Sequence, residues 1–136
     1  LMRRALDLDE KSFGPDHPKV AIRLNNLALL LKATKRLAEA EPLMRRALDL
    51  DEKSFGPDHP DVAFDLNNLA LLLHDMNQLE EAEPLMRRAL VILLNFERMT
   101  GHRHPECEKF TNNYRLLMRD RGKTPEQVDQ EMARLK

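Results

Sequence analysis

The stretch LMRRALDLDEKSFGPDHP occupies residues 1–18 and recurs without change as residues 43–60. When the comparison is extended at this shift of 42 residues, 33 of 42 positions agree over the full unit. A third copy begins at Leu85 with LMRRAL and then diverges. Self-similarity at a period of roughly 20 to 50 residues is typical of solenoids, because each unit buries its apolar face only by stacking on a neighbour. The sequence therefore predicts a stacked array and argues against a single central core.

Each unit has the pattern of two amphipathic helices, which we call helix A and helix B. Apolar residues recur at spacings of three and four, as expected for one buried helical face. No stretch alternates with a period of two, so we expect no strands and an all-α fold. In the first full unit, the stripe of helix A is Val20, Ala21, Leu24, Leu27, Ala28 and Leu31, and that of helix B is Leu37, Ala40, Leu43, Met44, Ala47, Leu48 and Leu50.

The turns between units carry their own signals. The segment GPDHP, residues 56–60, is expected to end helix B and begin the next helix A, since glycine ends a helix at low cost and proline suits a first turn. His59 and His104 each precede a proline, which favours a turn and capping role over catalysis. Pro42 and Pro84 fall within the first two turns of helix B, where we expect a local irregularity without a break.

These signals describe one array that spans the chain. Glu108, Thr111 and Arg115 replace small or apolar residues of the earlier units, as expected for the polar outer face of a terminal repeat. Thr124 and Gln127 have the spacing of a capping box, which predicts a closing helix. The predicted divisions are an incomplete first repeat with only helix B (1–14), two repeats (17–56 and 59–98), and a last helix A with a capping helix (104–136).

Composition and motifs exclude several classes of function. Lys and Arg number 22 against 23 Asp and Glu, and the signs are interleaved, so there is no basic face for nucleic acid. No apolar run approaches the roughly 20 residues that span a bilayer. A single cysteine cannot close an intramolecular disulfide, which favours a cytoplasmic setting. Since no catalytic, phosphate-binding or zinc-protease motif is present, we expect no enzyme, no cofactor and no metal.

The remaining polar candidates have structural interpretations. His102, His104 and Cys107 are metal-ligand types at short spacing, but Cys107 aligns with two valines and is expected to be a buried packing residue. The acidic run around Asp51 is interpreted as a solvated helix face, because nothing in the sequence desolvates it. Arginines of helix B follow glutamates by four residues and are expected to pair with them, as in Glu41 with Arg45 and Glu83 with Arg87.

The repeat also resembles a known family. The pattern His-Pro-x-Val-Ala-x-x-Leu-Asn-Asn-Leu-Ala-x-Leu-Leu is followed by Leu-x-Glu-Ala-Glu-Pro-Leu-x-x-Arg-Ala-Leu and then Phe-Gly-Pro-Asp-His-Pro. It resembles the 42-residue tetratricopeptide repeats of kinesin light chains and of bacterial proteins like them, over nearly the whole chain. Ala28, Ala40 and Ala47 stand at the close-contact positions of such a unit. The resemblance implies an α-solenoid of antiparallel helix pairs, with about three units and a C-terminal capping helix.

What the resemblance implies for function is a protein interaction scaffold whose helices A line a concave groove. A recurring Asn-Asn pair could bond the main chain of an extended peptide, since a carboxamide both donates and accepts. An excess of groove cations over aspartates favours a ligand of some acidic character. The implied groove positions are Ile22, Asn25, Asn26, Leu29, Lys32, Ala33, Phe64, Asn67, Asn68, Leu71, His74, Asp75, Lys109, Asn112, Asn113, Leu116, Arg119 and Asp120.

Alternatives stay open at this point. We expect the first asparagine of each pair to be exposed in the groove, but either asparagine could instead bond a neighbouring repeat. Most differences between the two full units, including Ile22/Phe64 and Arg23/Asp65, fall on helix A or the following turn, as expected of a partner-contacting face or of exposed sites free to drift. A second function is self-assembly through an N-terminal helix left uncovered at residues 1–13, which would give a homo-oligomer.

Overall fold

The computed structural model describes residues 18–135, without the side chain of Pro18, and contains six α-helices over that range. Within it there is no strand, as predicted. The predicted incomplete repeat at residues 1–14, and with it the proposed N-terminal association surface, lies outside the described residues. The helices are α1 (Pro18–Ala33), α2 (Leu37–Phe55), α3 (Pro60–Asp75), α4 (Leu79–Thr100), α5 (Cys107–Asp120) and α6 (Pro125–Leu135).

The helices stack in chain order as an α-solenoid. Each helix packs on the next, from α1 on α2 to α5 on α6, and α3 also touches α5. Helices α1, α3 and α5 are therefore the A helices of the repeat, α2 and α4 are the B helices, and α6 is the cap. Ala28, Ala40 and Ala47 are fully buried, as are their counterparts one repeat later. Small side chains at these positions let neighbouring helices approach closely, as the repeat pattern predicted.

The turns between A and B helices are tight and similar in both units. Lys35 and Asn77, which are equivalent in the repeat, have left-handed backbones with φ of 66° and 61°. The N–H of the next residue then bonds back to the preceding helix, from Arg36 to the carbonyl of Leu31 at 2.7 Å and from Gln78 to that of Leu73 at 2.8 Å. These bonds satisfy carbonyls that the helix end would otherwise leave open.

Helix ends follow the sequence signals. The Nδ1 of His59 accepts from the N–H of Asp61 at 3.0 Å, which confirms its capping role, and His104 does the same for Glu106 at 3.1 Å. Helices α2 and α4 run through Pro42 and Pro84 without a break. The predicted capping box also forms, since Thr124 and Gln127 exchange bonds of 2.9 and 3.2 Å.

Helix α5 has polar side chains where the earlier A helices bury small or apolar ones. Glu108 and Arg115 are exposed on α5, and Arg115 Nη1 lies 2.8 Å from Asp129 Oδ1 of α6. Cys107 is buried at the start of α5, in agreement with a packing role. None of the helices in residues 18–135 has the length and apolar character needed to cross a membrane.

Candidate functional site

The three A helices lie side by side and are joined by a ladder of side-chain contacts. Lys32 Nζ on α1 lies 3.5 Å from Asp75 Oδ2 on α3. The equivalent contact in the next unit joins His74 Nε2 on α3 to Asp120 Oδ2 on α5 at 2.7 Å. We call the exposed side of α1, α3 and α5 the A face. It contains the positions that the family resemblance assigns to the groove.

The ladder changes the interpretation of the groove charges. Lys32 and His74 were two of the cations on which the expectation of an acidic ligand depended, yet each is paired with an aspartate of the following unit. The remaining two, Lys109 and Arg119, are exposed and near acids of their own helix end, at 4.0 and 3.8 Å. The A face therefore has no strong excess of unpaired positive charge among the predicted groove residues of the described helices.

Three of the six asparagines in the Asn-Asn pairs make hydrogen bonds between repeats. Asn25 Nδ2 donates to Asp65 Oδ1 at 2.6 Å, and Asn113 Nδ2 donates to Asn67 Oδ1 at 3.3 Å. Asn67 is only 3% exposed, so the expectation that the first asparagine of each pair is exposed is wrong there. Bonding across a repeat junction accounts for this burial. Of the predicted row, Asn26 and Asn112 are exposed and Asn68 is half-buried.

Apolar side chains form a more regular row on the A face. Ile22 and Phe64 are equivalent in the repeat, as are Leu29, Leu71 and Leu116. All but the half-buried Leu71 are 37% to 58% exposed. Phe64 is fixed by edge-on contact with Phe110, with ring centroids 5.7 Å apart. The row presents hydrocarbon at matching positions on three successive helices.

A buried acidic pair beneath the A face was missed by sequence reasoning. Asp65 of α3 is 2% exposed and Asp51 of α2 is 7% exposed. The interpretation of the Asp51 run as a solvated face is therefore wrong for that residue, because α3 packs over it. Asp65 is not an exposed variable residue either. Its position three residues after Val62 and four before Leu69 puts it on the buried stripe, and that spacing could have revealed it.

The environment of this pair favours protonation. Burial raises the pKa of Asp65 to about 9, and the neighbouring Asp51 and Asp61 carboxylates add to the rise, while the bond from Asn25 opposes it. Burial also raises the pKa of Asp51, which His59 and the hydrogen bond with Asp65 partly offset. A carboxyl out of water resists ionisation, and two carboxyls within bonding reach share a proton more easily than they both ionise.

The acidic pair forms the floor of a small cavity of about 320 Å³. The cavity lies where α1, α2 and α3 meet, and it opens beside the apolar row. Its walls combine exposed hydrocarbon and polar groups. The lining residues are Ile22, Asn25, Asp51, Phe55, Asp61, Phe64 and Asp65.

The junction between the second unit and the last helix pair has a different character. Phe110 and Tyr114 of α5 are buried against the array, and Phe110 occupies the position that Asp65 has one unit earlier. Glu83 of α4 accepts from Arg87 at 2.8 Å and from Arg121 at 2.6 Å. The predicted pairing of Glu83 with Arg87 is confirmed, and so is that of the equivalent residues in α2, at 3.0 Å.

Within residues 18–135, no three His, Cys, Asp or Glu side chains are grouped so that they could hold a metal ion.

Among protein families, the tetratricopeptide repeat matches residues 1–53 and 24–94, which together span more than half of the chain. The chain belongs to the tetratricopeptide repeat (TPR) family. No curated protein matches it.

Solved TPR-type structures share the fold. The crystal structure of BtubC (BKLC) from P. vanneervenii has a TM-score of 0.84 at 22% identity and covers 98% of this chain and 52% of that one. A protein of Podosopora anserina with nearly identical TPR-like repeats, assigned as a kinesin light chain, has a TM-score of 0.78 at 19% identity and covers 98% of this chain and 60% of that one. The chain thus spans between half and three fifths of these proteins.

TPR arrays are generally scaffolds for protein interactions, and this chain has that architecture. In a TPR array the helix pairs supply a rigid frame, and the side chains on its surfaces decide what is bound.

Proposed function

We propose that this chain is a non-catalytic, cytoplasmic TPR scaffold that binds an extended segment of a partner protein along the A face. The observation that carries the proposal is the row of exposed apolar side chains at equivalent positions of α1, α3 and α5, represented by Ile22, Leu29, Phe64 and Leu116. Exposed hydrocarbon at repeated positions favours a binding surface, because covering it removes apolar area from water.

The spacing of the row suits an extended chain. Packed helices lie roughly 8–10 Å apart, so contacts on successive A helices recur at about that distance. An extended peptide advances roughly 3.3 Å per residue, and every third residue therefore meets a new repeat. Asn26 and Asn112, which are exposed, offer carboxamides to the main chain between these contacts. The partner segment is thus expected to carry apolar side chains about three residues apart.

Peptide display tests this assignment without knowledge of the natural partner. A library of random peptides on phage is selected on the wild-type chain, and the enriched peptides are then measured on variants by fluorescence polarisation. Leu29→Lys combined with Leu116→Lys places two charges in the apolar row at exposed sites, so the fold should be retained. We expect this double variant to weaken binding by at least about tenfold, because it puts charges where hydrocarbon is covered.

A charge-matched control lies away from the A face. Ala38→Lys on α2 and Met99→Lys on α4 also add two lysines at exposed positions. The control variant should bind the enriched peptides as the wild type does. The proposal is contradicted if the peptides bind the A-face variant as tightly as the wild type. It is also contradicted if the A-face variant and the control variant lose affinity equally.

A further inference from the structure

The cavity beside the apolar row has acceptors without donors at its floor. Asp65 Oδ1 accepts from Asn25 Nδ2, but Asp65 Oδ2 is buried and has no hydrogen-bond partner among the described residues. Asn25 Oδ1 is also buried without a hydrogen-bond partner among the described residues. Beyond these two, the floor presents Asp51, whose carboxyl is within bonding reach of Asp65. Two carboxyls face each other here, so without a cation they hold a proton between them, while Asn25 Oδ1 has no donor.

The walls of the cavity complement this floor. Ile22 of α1 and Phe64 of α3 flank the opening and belong to the apolar row of the A face. Phe55 of α2 adds an aromatic side chain. A long side chain with an aliphatic stem and a charged head fits such a site, because the stem lies against hydrocarbon and the head reaches the acids. Aromatic faces also attract a cation that passes them.

Comparison with the neighbouring units shows that the two acids are particular to this junction. The positions of Asp51 and Asp65 are taken by Asp9 and Arg23 one unit earlier, an acid and a base. One unit later they are taken by Leu93 and Phe110, both apolar and buried. The middle unit has two acids, and the charged groups that act on them are Asp61, another acid, and His59.

We propose that this cavity binds a lysine or arginine side chain of the partner segment, with its charged head on Asp51 and Asp65 and its stem between Ile22 and Phe64. The inference rests on the proposed function, since the segment on the A face delivers the side chain. A guanidinium or ammonium supplies several donors and a positive charge, which replace the shared proton between the two carboxyls. The partner is therefore basic at one position, contrary to the acidic ligand expected from sequence.

Binding of the cation releases a proton. Before binding, Asp51 and Asp65 hold a proton between them at neutral pH, because burial opposes their joint ionisation. The arriving cation stabilises both carboxylates, and the shared proton passes to the buffer. The carboxyl O–H bond is broken, and a buffer base takes up the proton.

A small probe tests the cavity separately from the rest of the A face. We would titrate the ¹⁵N-labelled chain with N-acetyl-arginine amide and with N-acetyl-citrulline amide, its neutral isostere, and follow the Asn25 side-chain amide and the backbone amides around Asp65 by NMR. The arginine probe is expected to bind at least about tenfold more tightly than the citrulline probe, and Asp65→Asn should abolish that difference.

Controls make each outcome decisive. Asn is close in shape to Asp and keeps an oxygen for the Asn25 bond, so the variant should fold. Asp58→Asn removes the same charge from a nearby exposed site outside the cavity and should leave the preference for arginine intact. Three outcomes would overturn the inference. They are the absence of chemical-shift changes at the cavity, equal affinity for the two probes, and an unchanged preference for arginine in Asp65→Asn. None of these outcomes bears on peptide binding by Leu29 and Leu116, which the display experiment measures.

Discussion

Two junctions of the same repeat register differ in what they bury. The junction of α1 and α2 with α3 places Asp51 and Asp65 together under the A face, whereas the junction of α3 and α4 with α5 has Leu93 and Phe110 at the equivalent positions. The ladder contact between neighbouring A helices occurs at both junctions, as Lys32 with Asp75 and as His74 with Asp120. The repeat therefore determines which positions contact each other. The residue types at those positions determine whether the junction is filled by apolar side chains or contains a polar cavity.

The largest effect is expected at the apolar junction. Phe110→Ala removes a fully buried ring that packs edge-on to Phe64, leaving a cavity that the helices fill only in part. We expect the free energy of unfolding to fall by about 3–4 kcal/mol. Urea unfolding monitored by circular dichroism measures it. Phe55→Ala, at a ring that is 42% exposed, should cost less than about 1 kcal/mol, and similar losses in the two variants would contradict the assigned packing.

The polar junction should respond in the opposite direction. Asp65→Asn removes an ionisable group from a buried site and keeps an acceptor for Asn25, so we expect stabilisation by about 2 kcal/mol at pH 7. The folded pKa of Asp65 is raised, to about 9 from an ordinary value of 3.8. Its contribution to stability is therefore fully present below about pH 4 and is lost as the pH rises toward 9. Urea unfolding at pH 5, 7 and 9 should show an advantage of the variant that grows with pH.

Two features distinguish the pH-dependent stabilisation by Asp65→Asn from the effect of removing any aspartate charge. The groups that face Asp65 are Asp51, Asp61 and Asn25, and they are unchanged in the variant. Asp58→Asn, which changes an exposed aspartate, should stay within about 0.5 kcal/mol of the wild type at every pH. A constant difference between Asp65→Asn and the wild type from pH 5 to 9 would mean that the pair does not titrate in this range.

The ion pairs of the B helices give a smaller contrast. Glu83 bonds both Arg87 and Arg121 and is only partly exposed, so Glu83→Gln should cost about 1–2 kcal/mol. The equivalent Glu41 is more exposed, and among the described residues it contacts Arg45 at 3.0 Å, so Glu41→Gln should cost about 0.5 kcal/mol or less. The two variants are compared by urea unfolding at low and at high salt. High salt should reduce the cost of Glu41→Gln more than that of Glu83→Gln. Equal losses of stability in the two variants would contradict this difference between the junctions.

The smallest effect concerns the A–B turns. Lys35 and Asn77 both have left-handed backbones, but asparagine tolerates this conformation better than lysine. Lys35→Gly is expected to stabilise the chain by about 0.5–1 kcal/mol, and Asn77→Gly by a few tenths at most. Thermal unfolding is sufficient to rank the two. If Asn77→Gly stabilises the chain more than Lys35→Gly does, the side chain does not determine the backbone strain at these turns.

The fold was largely accessible from sequence because its signals are local. Apolar spacing within 18–33 and 37–55 reports which face of a helix is buried, and the turn residues report where it ends. The capping box at Thr124 and the capping histidine at 59 involve residues at most three apart. Such contacts depend on the helix alone and do not require knowledge of its neighbours.

The candidate site was less accessible because its contacts join different units. Lys32 meets Asp75 and His74 meets Asp120 across a junction, and no spacing within one unit gives those distances. Asp65 was grouped with the variable residues of the partner face although its spacing puts it on the buried stripe. A charged residue at an apolar helix position was the available signal, and following it would have led to the cavity.

The buried pair at the middle junction also bears on how the array assembles correctly. The helices of different units have apolar residues at the same spacing, so one helix could pack in the place of its equivalent from another unit. A slip by one unit would set Phe110 against Asp51, or Asp65 against Leu93. Either arrangement places a carboxyl against hydrocarbon, where it meets neither water nor a donor. The two positions that differ between these junctions, 51/93 and 65/110, therefore disfavour packing of a helix against the wrong neighbour.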